Sequence, residues 1–239
     1  MKILVIVAHP DDEVLGMGGT IKKLTKNKHN VKVVIMATGI ISRRSSGYKN
    51  KPNYDLDENT QKLMKKEILE LKKDAIKANN LLGVKDVEFL NFPDNEMDLV
   101  SQLEITKTVE KIISKFNPNI VYTHSKQDIN IDHRIIYESV ITATRPMKNS
   151  KIERVLSFEV PSSTEWYFPS NFSPNIFVDI SNELKIKLKA MATYKNEVRD
   201  FPHPRSTEAL EAIAKKWGSV SGFLAAEPFI LVRELIKKI

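Results

Sequence analysis

The sequence predicts an α/β fold, a Rossmann-like three-layer sandwich around a mostly parallel sheet. Three observations carry this. Apolar, β-branched runs alternate with helical stretches along the first two thirds of the chain. The opening run, residues 2–8, is continuously apolar rather than alternating, as expected of a strand buried on both faces. Gly83, Pro118 and Pro146 stand where helical stretches should stop. In order, the pattern predicts strands over 2–8, 31–37, 87–91, 119–123, 154–160 and 176–180. Helices are predicted over 14–27, 60–82, 101–116 and 133–145 between them, then over 182–198, where Leu184, Leu188 and Met191 share a face, and over 207–217. Residues 40–59 and 161–175 read as irregular, and long irregular segments in a compact domain are either functional or mobile.

Of 239 residues, 28% are charged and 41% hydrophobic, which excludes a fibrous, collagenous or wholly disordered chain. One domain over 1–239 is the simplest division, since single α/β domains of roughly 200 to 250 residues are common. Lys and Arg number 37 against 30 Asp and Glu, a net charge of 37 − 30 = +7. The basic residues are scattered among acidic ones and form no stripe interleaved with aromatics, so nucleic acid is not the expected partner. The apolar start is far shorter than the roughly 20 residues of a membrane span and lacks a signal-peptide core, so a cytoplasmic protein is expected. Cysteine is absent. Disulfides and thiolate chemistry are therefore excluded, and any metal must be held by His, Asp or Glu.

The first strand leads directly into His9-Pro10-Asp11-Asp12-Glu13. Three crowded carboxylates raise one another's pKa unless a cation neutralises them, which a divalent metal does. His9 and Asp12, three apart across a strand-to-helix turn, can face one point while Asp11 is directed elsewhere. Two ligands and a separate base thus fit into five residues. Such a site suits zinc or a similar first-row ion. A helix cap accounts for one aspartate, with Pro10 stiffening the turn, but not for His9 and both. Ligands of open α/β sheets bind beyond the carboxyl ends of the strands, where this cluster falls. Among the other histidines, His29 lies in a polar turn, His124 ends a strand, His133 opens a helix after Asp132, and His203 stands between two prolines.

Ala8-His9-Pro10-Asp11-Asp12-Glu13, followed by Gly16 and Gly18-Gly19, resembles the signature of the PIG-L/LmbE family of metal-dependent N-deacetylases. Asp128-Ile129-Asn130-Ile131-Asp132-His133-Arg134 resembles that family's second motif, whose last His is the remaining ligand. The resemblance implies Zn²⁺ held by His9, Asp12 and His133, with Asp11 as general base. Several members carry another His three places before this ligand, where this chain has Asn130. An Asn can donate a hydrogen bond to a developing oxyanion but cannot carry a proton. Protonation of the leaving amine then falls to Asp11 or to His203. For His124, a strand-end position near the site is a better reading than ligation.

The likeness extends through Pro161-Ser162-Ser163-Thr164-Glu165-Trp166, residues 172–180, His203-Pro204-Arg205-Ser206 and Ala225-Ala226-Glu227, as in bacterial and archaeal glycan-modifying members. Trp166 can stack on the apolar face of a sugar, or pack inside. Arg205 can fork onto hydroxyls, a carboxylate or a phosphate, or pair with an acidic residue such as Glu208. Arg43 and Arg44 fall where members place a substrate-contacting Arg, and Leu71 stands where many have an Arg. The resemblance thus implies hydrolysis of an N-acetyl group from an amino sugar or sugar conjugate, with a small-molecule amino-sugar substrate. Its rivals are a zinc hydrolase of another amide or ester and a non-catalytic carbohydrate-binding module. A dinucleotide is not expected, because the Gly-x-Gly-x-x-Gly fingerprint is missing. Homo-oligomerisation is left open by the sequence.

Overall fold

The computed structural model describes residues 1–37, 58–169 and 172–236. The strands are β1 (Lys2–Val7), β2 (Asn30–Ala37), β3 (Asp86–Phe92), β4 (Ile120–His124), β5 (Arg154–Phe158), β6 (Ile176–Asp179) and β7 (Ala226–Glu234). The helices are α1 (Asp12–Lys26), α2 (Glu58–Leu82), α3 (Gln102–Phe116), α4 (Ile131–Ala143), α5 (Leu184–Met191) and α6 (Thr207–Ser221). The strands form one sheet in the order β3-β2-β1-β4-β5-β7-β6. As predicted, it is mostly parallel, with three layers.

β1 is the spine. Ile3 is in register with Val31 of β2 on one side and Ile120 of β4 on the other, both parallel. Ile3 through Val7 are wholly buried, and their alternation serves two cores. Ile3, Val5 and Val7 meet Val14, Leu15 and Ile21 of α1 and Leu71 and Ala75 of α2. Leu4 and Ile6 face Ile105 and Val109 of α3 and Ile136 and Val140 of α4. Leu71, where the resemblance leads one to expect an Arg, is thus a core residue here. Because the order reverses between β1 and β4, the carboxyl ends of these two strands frame the crevice in which open α/β sheets bind ligands.

Two expectations change in the last third. β7 is not among the predicted strands, and its Pro228 reads against an interior strand. It nevertheless lies between β5 and β6, antiparallel to both. β5 pairs with β7 from Phe229 onward, so the N–H that Pro228 lacks is not missing from that ladder. The helix predicted over 182–198 stops at Met191. Beyond it the chain turns to bury Tyr194, whose hydroxyl donates to Glu13 at 2.5 Å.

α1 is bent at Met17 (φ −151°, ψ 25°), which frees N–H groups partway along the helix. The buried carboxylate of Glu227 in β7 accepts two of them, from Gly19 at 2.9 Å and Thr20 at 2.6 Å. Lys187 of α5 bonds Glu227 (2.6 Å) and the Leu15 carbonyl (2.9 Å). Close approach explains the glycines: a Cβ on Gly16 would stand 2.2 Å from the Phe158 ring, and one on Gly19 would stand 2.8 Å from Ile180. No helix among the described residues is long and apolar enough to cross a membrane.

Candidate metal centre

The carboxyl end of β1 runs into His9 and then Asp11, whose φ of 111° makes the sharp entry into α1. Glu13 stabilises this left-handed turn by accepting the Asp11 N–H at 3.2 Å. The Glu13 carboxylate is wholly buried between Asn79 (2.8 Å) and Tyr194, and burial pushes its pKa up to about 7. Within the turn, Asp12 Oδ2 accepts the His9 N–H at 2.8 Å.

His9, Asp12 and His133 converge. His9 Nδ1 lies 3.5 Å from Asp12 Oδ2, and His133 Nε2 lies 3.3 Å from the same oxygen. One donor atom from each side chain falls within 4.8 Å of the other two. Asp12 Oδ1 and His133 Nε2 are buried with no hydrogen-bond partner among the described residues. Leaving such groups unpaired costs about 1–3 kcal/mol each, so a buried acceptor and a buried imidazole nitrogen on two side chains of this group fit a cation. Each imidazole is also held from behind. His133 Nδ1 is 3.1 Å from Asp128 Oδ2, and His9 Nε2 is 3.0 Å from both Asp94 Oδ1 and Asp132 Oδ2. Carboxylates behind ligating imidazoles fix ring orientation and tautomer.

The electrostatics agree. Burial opposes charge on His133, but Asp12 and Asp128 outweigh it and raise its pKa to about 9. Burial likewise opposes charge on His9, and Asp12, Asp132 and Asp94 hold it well above the usual histidine value. A cluster that draws protons onto two buried imidazoles is one that favours positive charge. His124 differs. It stacks on His133 with centroids 3.9 Å apart, and its Nε2 accepts the Ala8 N–H at 2.8 Å. Burial, with His133 beside it, lowers its pKa to about 3, so it is a neutral support.

Asp94, which follows β3, was missed by sequence reasoning; its only sequence signal is its place after a strand end. His9, Asp94 and Asp132 also form a metal-sized group. However, Asp132 accepts N–H groups from Asn95 (2.6 Å) and Met97 (3.1 Å), which marks this pair as a brace for His9. Asp128 is braced by the 161–166 loop. It accepts the hydroxyls of Ser163 and Thr164, the latter at 2.8 Å, and the Asn130 N–H at 2.8 Å.

The remaining predicted residues separate. Asn130 caps α4 through the Asp132 N–H (2.9 Å) and donates to Asn95 Oδ1 (2.9 Å). Its Nδ2 carries a second N–H besides the one given to Asn95. Asp11 is 1% exposed, and its Oδ2 accepts from Arg205 Nη1 at 2.9 Å. Arg205 pairs with Glu197 at 3.0 Å rather than with Glu208. His203 Nδ1 accepts the Arg205 backbone N–H at 3.1 Å, so the neutral ring carries its proton on Nε2. Partial burial, then Arg205 and Arg199, keep His203 below the usual pKa. Trp166 is 43% exposed, its ring edge-on to His203 at 6.0 Å, on the open side of the site rather than in the core. Tyr167, Phe168 and Phe201 are exposed as well. Arg43 and Arg44 lie outside the described residues.

A family model described as GlcNAc-PI de-N-acetylase (PIG-L) matches residues 4–144, more than half of the chain. Diacetylchitobiose deacetylase of Thermococcus kodakarensis is 29% identical over 233 residues, 95% of this chain and 81% of the relative. A probable N-acetyl-alpha-D-glucosaminyl L-malate deacetylase 2 of Bacillus cereus is 25% identical, covering 82% of this chain and 83% of its own length. The inhibitor complex of N,N'-diacetylchitobiose deacetylase from Pyrococcus horikoshii superposes with a TM-score of 0.73 at 26% identity, over 97% of this chain and 83% of that one. The zinc-inhibited form of teicoplanin deacetylase Orf2 superposes over the full length of both chains with a TM-score of 0.75 at 16% identity, which is a likeness of fold.

Proposed function

The chain belongs to the PIG-L family, and on that premise we propose that it is a zinc-dependent hydrolase of N-acetylated amino sugars or sugar conjugates. It releases acetate and leaves a free amine. The observation that carries this reading is the convergence of His9, Asp12 and His133, with two unpartnered buried atoms, beside a fourth group, Asp11, that is not needed as a ligand. A catalytic zinc takes three protein ligands and keeps a place open, and these three residues would hold it. When bound, the ion supplies positive charge that polarises the amide carbonyl and brings the pKa of a water down to roughly 7.

The chain's own residues supply the rest. Asp11 takes the proton from the attacking water and returns it to the leaving nitrogen. Asp128, Asp94 and Asp132 keep the two imidazoles aimed. The remaining amide N–H of Asn130 is a donor for charge developing on the carbonyl oxygen. Because His203 is held below the usual histidine pKa, it is largely neutral at pH 7, which favours Asp11 over it as the proton donor to the amine. Trp166, exposed at the rim, offers a face on which a sugar ring can stack. A purely sugar-binding module would have no use for a buried carboxylate held next to the metal ligands.

The test is acetate release from N-acetylhexosamines, their oligomers and nucleotide-linked forms, with chelator and with zinc restored. Metal-dependent acetate from at least one of these is expected. Stoichiometric zinc without acetate from any would overturn the reading.

A further inference from the structure

Arg205 contacts Asp11 from outside the metal cluster, and it is itself held on three sides. Its Nη1 donates to Asp11 Oδ2 at 2.9 Å and to Glu197 Oε2 at 3.0 Å, and its Nε donates to Ser162 Oγ at 2.7 Å. Each of these acceptors is fixed in turn. Glu197 is buried, in the turn closed by its N–H to the Tyr194 carbonyl (2.9 Å). Ser162 has a φ of 77°, and the Glu165 carboxylate accepts the N–H groups of Ser162 (2.6 Å) and Ser163 (3.1 Å). The Arg205 backbone is tied to the ring of His203. An arginine that grips substrate presents its donor fork to the open pocket. Here the Nε and Nη1 donors are already committed to protein acceptors, two of them buried carboxylates.

We infer that Arg205 is the positioning residue of Asp11. Its guanidinium, bridged between Asp11 and Glu197 and anchored on Ser162, holds the Asp11 carboxylate in one orientation beside Asp12. Glu197 keeps the guanidinium itself from swinging away. The same 161–166 loop braces His133 through Asp128, so one loop aligns both the base and a metal ligand. This role differs from the substrate contact expected from the sequence. Only its kinetic readout rests on the proposed deacetylase activity.

The test compares wild type with Arg205→Ala, Arg205→Lys and Glu197→Gln. For Arg205→Ala, kcat falls about 10²-fold, the penalty of a misplaced reacting group, while KM stays within about threefold. Zinc content matches wild type, and added guanidinium ion restores part of kcat. Arg205→Lys also loses kcat rather than KM, because a point charge cannot span three acceptors; it carries the test if the alanine variant does not fold. Glu197→Gln shows a smaller loss of the same kind. In crystals of either Arg205 variant the Asp11 carboxylate is turned from its wild-type orientation. A raised KM with unchanged kcat, or an Asp11 that does not move, would overturn the inference. Were wild type to release no acetate at all, the functional reading would fail, and the orientation of Asp11 in the variant crystals would still decide the role of Arg205.

Discussion

Two regions meet at the carboxyl edge of the sheet, and they are built in opposite ways. The cradle of His9, Asp12 and His133 is almost closed to solvent, and each imidazole is fixed by a carboxylate behind it. The rim of Trp166 and His203 is more open, with Trp166 touching its neighbour ring edge-on rather than being packed in place. The difference separates two tasks. Burial strengthens electrostatics and fixes geometry, which activating a water requires. An exposed aromatic face costs little to desolvate and accepts many sugars, which sets affinity rather than rate. On the proposed function, the chemistry would belong to the cradle and substrate choice to the rim.

The comparison breaks first at Asp11. If the cradle carries the rate, Asp11→Asn lowers kcat by about 10²–10⁴-fold while zinc content, read by elemental analysis, stays at the wild-type level. A kcat near wild type would move the base elsewhere. A smaller effect is expected behind the ligands. Asp128→Asn should weaken zinc binding about 10–100-fold in a competition titration against a chromophoric chelator. Unchanged affinity would mean that Asp128 serves the loop and not the metal. At the rim, Trp166→Ala should raise KM roughly fivefold, the loss of one stacking contact, with kcat held. A fall in kcat instead would place Trp166 with the cradle.

At Glu159 the effect is on stability rather than on rate. Glu159 follows β5 and accepts from Trp217 Nε1 at 2.6 Å, and burial raises its pKa to about 7. A carboxyl whose folded pKa lies above its unfolded value takes up a proton on folding. Its contribution to stability is complete below about pH 4.5 and is lost as pH rises through about 7. Glu159→Gln retains the acceptor for Trp217 without the charge. It should therefore unfold at higher denaturant than wild type at pH 8, by up to about 3 kcal/mol, and at the same denaturant at pH 4. Equal shifts at both pH values would show that the effect is packing rather than ionisation.

Much of this molecule was legible in its sequence, for a physical reason. Residues 2–8 read as a doubly buried strand because the run is continuously apolar, rich in Ile and Val, and too short for a buried helix. The candidate ligands His9 and Asp12 sit on one turn, so their spacing alone could bring them to one point. His133 needed the second motif as well, since spacing along the chain does not say that β4 and α4 lie beside β1. What the sequence could not determine were the contacts that cross it. The bond of Asp94 to His9, the closing of Glu227 over the bend in α1, the insertion of β7 between β5 and β6, and the reach of Arg205 to Asp11 each join residues that are local in space and remote along the chain. Their partners are chosen by which strand ends and loops the packed sheet brings together, so only the tertiary structure decided them.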